Sequence, residues 1–406
     1  MRGFRLSLML FLQYLMLPVW LVPLLPYVET LEGGAGWIFA FGILTGIGTF
    51  ASPFVCMFAD RCFNSEKVLA ACNLAAAVLL GLAYFTSSPP VLFALLLLAF
   101  VAYMPTWSVS TAIAMAHSSP VEFPRYRTLG SIGWVVSGVF SLAAARWFGI
   151  DDFDVSRRIF AAGAVLAAAG AAYAATLPRT PPKGRGGPLS AADVLGLKAF
   201  ALFRDPVFAV FGLLLFLSMV PFQWYMFYNP VYLAESGFRY ITMTQNLGQV
   251  GEILILLAIP SAVRRFGYRA AFSAGFVFMA LRYALFFAAS RYGCEAGIFC
   301  GILTHGFIFG FIVVVGQMYV GECAPPELRN QAQGLVILLT CGVGVFASNL
   351  VMHPIVASSA RAGGGHDWSV PFFVAFAASA ALAACAALFF RPAPRAEAVR
   401  QGGGPA

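Results

Sequence analysis

Three residues in the second half of the chain, Glu252, Arg282 and His305, carry ionisable groups inside long apolar runs. An ionisable side chain at bilayer depth is costly unless it is paired or hydrated, so it marks a ligand site or a proton path. Gln249 precedes Glu252 by about one helical turn and shares its face. An amide beside a carboxylate can both donate to and accept from a polar ligand. Earlier in the chain Arg127, Ser131 and Trp134 follow a spacing of four and seven, which aligns a guanidinium, a hydroxyl and an indole on one helix face. Gln223 lies within Phe222-Gln223-Trp224-Tyr225-Met226-Phe227-Tyr228-Asn229. Rings interleaved with amides suit stacking on a flat ring with hydrogen bonds at its edge. Each feature has a plainer alternative: a packing ion pair, a membrane-edge arginine, an interfacial aromatic belt, and for His305 a satisfied core histidine. Glu252 and Arg282 fall at comparable depths in adjacent runs of opposite direction, which allows an ion pair between them.

The elements that must position these groups are membrane helices. Of 406 residues, 60% are hydrophobic and only 10% charged, too apolar a chain for water to be its sole solvent. About 20 apolar residues cross a hydrocarbon core. Twelve stretches qualify: 6–28, 37–58, 67–86, 91–115, 129–148, 158–177, 207–233, 242–263, 270–290, 295–320, 330–356 and 370–390. With a cytoplasmic N-terminus, Lys and Arg divide 18 inside to 6 outside, leaving Arg282 within a helix. That bias predicts that both termini are cytoplasmic and that the number of crossings is even. The +8 net charge thus reads as a topology signal, not as nucleic-acid binding. The start Met1-Arg2-Gly3-Phe4-Arg5 resembles a signal peptide, but the apolar run is too long and lacks a small-x-small cleavage site, so it reads as a retained first helix.

The longest loop, 178–206, falls mid-chain. Its first part is rich in Pro, Gly and basic residues and reads as flexible. Ser190 with Asp193 forms a capping box that opens a short helix, Ala191 to Phe203, with an apolar side. The predicted organisation is a six-helix bundle over 1–178, a linker with an amphipathic helix over 179–206, a second six-helix bundle over 207–391 and a cytoplasmic tail over 392–406. The eight cysteines form no CxxC pair and no zinc spacing, and read as reduced apolar residues. No nucleophile elbow, HExxH or P-loop occurs, so neither an enzyme, a cofactor nor a metal is expected.

Six helices, a central loop and six helices is the layout of the major facilitator superfamily, and Phe58-Ala59-Asp60-Arg61 resembles its signature loop, with Cys56 at the usual glycine. More specifically, the chain resembles the nucleoside:proton symporter family of bacterial nucleoside permeases over most of its length. The resemblance rests on Ala102-Tyr103-Met104-Pro105-Thr106, the Arg127 to Trp134 stretch, the linker run Leu195 to Phe203, Gln249-x-x-Glu252, Leu281-Arg282-Tyr283-Ala284-Leu285-Phe286 and Gln331-Ala332-Gln333-Gly334.

That resemblance implies an all-α fold of twelve transmembrane helices in two six-helix halves that rock about a central site. It implies a nucleoside site lined by Arg127, Ser131, Trp134, Gln223, Gln249, Glu252, His305 and Phe309. The partners would be a nucleoside, a proton and the lipid bilayer, and the protein a monomer of the cell inner membrane. This chain departs from the family pattern at Ser131 (usually Thr), Trp134 (usually Phe), His305 (usually Tyr) and Met226 (usually Asn). Gly310 replaces an aspartate linked to proton coupling, leaving Glu252, His305 and Arg282 as coupling candidates. Arg127, Trp134, Glu252, Arg282 and His305 also resemble the lactose-permease group of sugar:proton symporters, although that group has a carboxylate where Ile308 stands. A transporter-derived sensor that binds without transporting is the third reading, motivated by Gly310.

Overall fold

Lipid offers no hydrogen bonds to the backbone, so each apolar run must satisfy its own N–H and C=O groups as a helix. The computed structural model of the protein describes residues 2–118, 123–182, 197–325 and 328–392. Among the described residues the crossings are α1 (Gly3–Glu29), α2 (34–61), α3 (Ser65–Tyr84), α4 (Pro89–Ala116), α5 (123–148) and α6 (Arg158–Ala175). The second half supplies α7 (Pro206–Glu235), α8 (241–266), α9 (268–292), α10 (Glu295–Cys323), α11 (329–358) and α12 (Ser369–Phe389). Helices α8 and α9 follow one another without an intervening loop over 52 residues, Ile241–Tyr292. At 1.5 Å per residue that run would measure about 78 Å, more than twice the hydrocarbon thickness. Gly267 folds it back with φ 77° and ψ 168°, a conformation side-chain-bearing residues avoid, and so makes it two crossings.

The twelve predicted stretches are all present, with shifted ends. Helix α5 starts at Phe123 instead of 129, which places Arg127 inside the helix. It bends by 46° at Ser137-Gly138, a Gly/Ser break of the kind that kinks helices. Of the predicted linker helix, Leu197–Arg204 is a 3₁₀ helix. Its capping box, Ser190 and Asp193, lies outside the described residues, and so do the side chains of the Phe58 to Arg61 motif. Helix α7 is capped instead by Asp205, whose Oδ1 accepts from the Val207 amide at 2.7 Å.

Within the first half, α1 packs on α5, α3 on α6, and α4 on α2 and α3; within the second, α7 packs on α11, and the α8–α9 run on α10 and α12. The halves meet at the end opposite the chain termini. Asn349 of α11 donates to the Gly42 carbonyl of α2 at 3.0 Å. Asn246 of α8 donates to the Trp134 carbonyl at 3.0 Å and to Ser137 Oγ at 2.8 Å, both in α5. Gly138 makes that approach possible, since a Cβ there would lie 2.6 Å from Met243 Cα.

The α5–α6 loop completes the closure. Asp151 pairs with Arg239. Asp154, only 2% exposed, accepts from the Thr242 amide and from Thr242 Oγ1, each at 3.0 Å. Tyr240, the N-cap of α8, offers no side-chain cap of its own. A carboxylate from the first half therefore caps a helix of the second, and meets the positive end of its dipole. Burial pushes the Asp154 carboxyl up to about 6, with the Thr242 hydrogen bonds opposing the rise.

Asp154→Ala leaves buried donors at the start of α8 unpaired, so the protein should lose about 1–3 kcal/mol of stability, read as a lower melting temperature in detergent. The pH dependence has a definite sign. A carboxyl raised in the folded state is most favourable when protonated, and that contribution fades as pH rises through about 6. The melting temperature of the wild type relative to Asp154→Asn should therefore rise as pH falls from about 7 to about 5.

Candidate functional site

The α5–α8 contact sets the register of everything below it. From Trp134, beside Asn246, seven residues along α5 lead to Arg127. From Asn246, six residues along α8 lead to Glu252. The helices are antiparallel, and both descents are about 10 Å. Arg127 of the first half thus stands level with Glu252 of the second. Half-buried Ser131 lies on the α5 stripe between them and Trp134.

Helix α10 brings the third component. Glycines let it touch α8 backbone to backbone. A Cβ on Gly306 would fall 2.6 Å from the Glu252 nitrogen and 2.7 Å from its Cα, and one on Gly248 would fall 2.8 Å from His305 Cβ. Small residues are how membrane helices reach such proximity. The consequence is a compact polar trio. His305 Nε2 lies 3.0 Å from Gln249 Nε2 and 3.7 Å from Glu252 Oε2. Both His305 and Glu252 are buried, at 2% and 8% exposure. The imidazole sits in an aromatic enclosure, with ring centroids 5.5 Å from Tyr225, 5.7 Å from Phe222 and 6.2 Å from Phe309. Phe309 opens a π-helical segment, Phe309–Val314, a local widening often found at functional sites.

On the first-half wall, the Arg127 guanidinium stacks over Tyr14 at 4.1 Å. Tyr14 stacks on Trp107 at 4.9 Å, and Trp107 meets Trp134 edge-on at 6.3 Å. Trp107 is fixed from behind by its Nε1–H, which donates to Tyr103 Oη at 3.0 Å. Tyr14 and Trp107 escaped the sequence reading. Tyr14 lies in a mostly apolar run, and Trp107 carried only one signal, its place four residues after Tyr103 on one helix face.

Two of the expected site residues have partners other than those anticipated. The ion pair that depth allowed between Glu252 and Arg282 is not formed. Arg282 is fully buried, donates from Nε to the Gly301 carbonyl and to Thr304 Oγ1, each at 3.2 Å, and stacks 3.7 Å from the Tyr225 ring centre. The face of Tyr225 thus touches both Arg282 and His305, so the guanidinium supports the site's aromatic wall from behind. Gln223 donates from Nε2 to the Thr340 carbonyl of α11 at 3.2 Å. Thr340 lies in the second π-helical segment, Leu338–Val343, where main-chain pairing is looser. At Gly310 an added Cβ would meet Ile259 Cδ1 at 3.0 Å and Ile255 Cγ2 at 3.2 Å. That position faces an apolar stretch of α8, so its lack of a carboxylate agrees with its surroundings.

The chain matches the family described as Nucleoside H+ symporter over residues 1–395. It belongs to the Nucleoside H+ symporter family. The protein YegT of Escherichia coli (strain K12) is 35% identical over 348 residues, covering 84% of this chain and 81% of YegT. The xanthosine permease of the same organism is 27% identical over 396 residues, 91% of each protein. The crystal structure of the nucleoside transporter NupG shares the fold with a TM-score of 0.82 at 24% identity, over 96% of this chain and 99% of that one. A POT peptide transporter shares it with a TM-score of 0.76 at 12% identity, over 98% of this chain and 94% of its own. Membership of the Nucleoside H+ symporter family makes this chain a multi-pass membrane transporter and not an enzyme.

Gly306→Val should force α10 away from α8. Overpacking of this kind costs about 1–3 kcal/mol, so the detergent melting temperature should fall, with Gly306→Ala intermediate.

Proposed function

We propose that the chain is a proton-coupled nucleoside importer of the cell inner membrane, working by alternating access. The observation that carries this reading is the level placement of Arg127, on one half, opposite the Gln249–Glu252–His305 trio on the other. A ligand held between them would feel both halves, and the halves rock about such a site in transporters of this architecture. The carboxylate of Glu252 and the amide of Gln249 would take the ribose hydroxyls or base edge. Arg127 and Ser131 would contribute from α5, and Trp134 and Phe309 would pack on the rings. Gln223 would act through the α7–α11 contact.

Proton coupling falls to Glu252 with His305, the adjacent titratable groups at the site's centre, while Arg282 positions Tyr225 and His305 around them. The halves correspond to 1–178 and 207–391, joined by the 179–206 linker and followed by a tail at 392–406. The Lys/Arg bias supports cytoplasmic termini. On that orientation the end closed by Asp154 and Asn349 is the outer one. One chain carries both faces of the site, which supports a monomer.

The test is uptake of labelled uridine and adenosine in cells lacking their own permeases. The wild type should accumulate at least one nucleoside, more strongly at acidic outside pH. Glu252→Gln should lower uptake by about ten- to a hundredfold, the loss of one charge-assisted hydrogen bond, and weaken its pH dependence. Competition by galactosides but not nucleosides would move the assignment to sugars. Nucleoside binding in detergent without accumulation would make the chain a sensor.

A further inference from the structure

At the end opposite the termini, three side chains from distant parts of the chain converge: Glu29 closes α1, Glu235 closes α7, and His366 sits in the α11–α12 loop. One carboxylate oxygen of each glutamate and one ring nitrogen of His366 all lie within 4.8 Å of one another. Glu235 Oε1 lies 2.6 Å from His366 Nδ1. Its other oxygen, Oε2, accepts from the His366 amide at 2.9 Å and from Trp368 Nε1 at 2.7 Å. One oxygen of Glu235 is thus anchored, and the other faces the imidazole and Glu29.

The loop presenting His366 is itself well tied. Arg361 donates its amide to the Gly365 carbonyl at 2.9 Å, Asp367 to the Ser359 carbonyl at 2.7 Å, and Ala360 bridges His366. A cavity of about 560 Å³ opens beside the cluster, lined by Glu235, His366, Trp368, Arg361 and Glu295 among others. Hydrogen bonding to Glu235 raises the His366 pKa.

We propose that Glu29, Glu235 and His366 form a divalent transition-metal site, best suited to Zn²⁺, that clamps the two halves together at this end. Imidazole with carboxylates is a zinc donor set, and three protein ligands beside a cavity leave the fourth position to water. Ligands around tetrahedral zinc lie about 3.4 Å apart, so a small inward movement of Glu29 completes the triangle. The His366 nitrogen exchanges its hydrogen bond to Glu235 for a metal bond. Trp368 and the His366 amide continue to orient the carboxylate from behind, the usual outer-shell arrangement. Glu29 belongs to the first half and the other two ligands to the second. The site is therefore whole only when this end is closed, and zinc binding stabilises that state by its affinity difference.

The full-length protein, purified in detergent and stripped of metal, is titrated with Zn²⁺ by calorimetry and by competition with a zinc-sensitive dye. One saturable site is expected, with a raised melting temperature on binding. Glu29→Gln and His366→Ala should each weaken binding at least about tenfold, whereas His366→Cys, which keeps a zinc ligand, should retain it. Melting curves without metal identify any variant that fails to fold. Lowering the pH from about 7.5 to about 5.5 should weaken binding, because His366 must lose its proton to ligate. No saturable binding up to about 1 mM Zn²⁺, or equal binding by the wild type and both ligand-removing variants, overturns the proposal. Because the readout is metal binding, the result stands apart from whether nucleosides are transported.

Discussion

The arrangement of the site depends on how closely the backbone of α8 is approached from both sides. On one side α10 reaches it through Gly306 and Gly248, and on the other α5 reaches it through Gly138. Helices in lipid gain little from apolar burial against one another, so contact must come from close van der Waals packing and interhelical hydrogen bonds. A side chain larger than hydrogen at these glycines would hold the helices apart. The Gln249–Glu252–His305 trio and its alignment with Arg127 both follow from that proximity.

Polar contacts then decide which end of the molecule is shut. Asn349 on Gly42, Asn246 on Trp134 and Ser137, and Asp154 on Thr242 all join one half to the other at the end away from the termini. None of them lies within a single half, so each must break if the halves rock the other way. The Asp154 cap is the most economical of these links. It satisfies the free amide end of α8 only while the halves are together, so opening exposes that end to water, where solvent replaces the cap at modest cost.

Arg282 illustrates how burial alone misleads. A guanidinium in mid-membrane and a glutamate at the same depth suggest each other as partners. Instead the arginine lies behind Tyr225, where the ring face takes the cation and Gly301 and Thr304 accept its Nε–H. Depth along a helix is legible from a count of residues, whereas azimuth around a bundle depends on which helices are neighbours. The same limit applied to Gln223, which points to α11, and to Tyr14 and Trp107, whose stacking crosses from α1 to α4.

Twelve crossings, two six-helix halves and the depth of Glu252 and His305 along their helices were legible in the sequence, because hydropathy, loop charge and helical spacing are local quantities; that Arg127 lies inside α5 was not. The motifs in chain order were enough to place the chain near the nucleoside:proton symporters. What only the tertiary structure decided was partnership. It gave Glu252 to His305 instead of Arg282, made Asp154 the cap of a helix in the other half, and gathered Glu29, Glu235 and His366 from three separate segments. Such pairings join residues on different helices, from 53 to 337 positions apart, and no local periodicity encodes them.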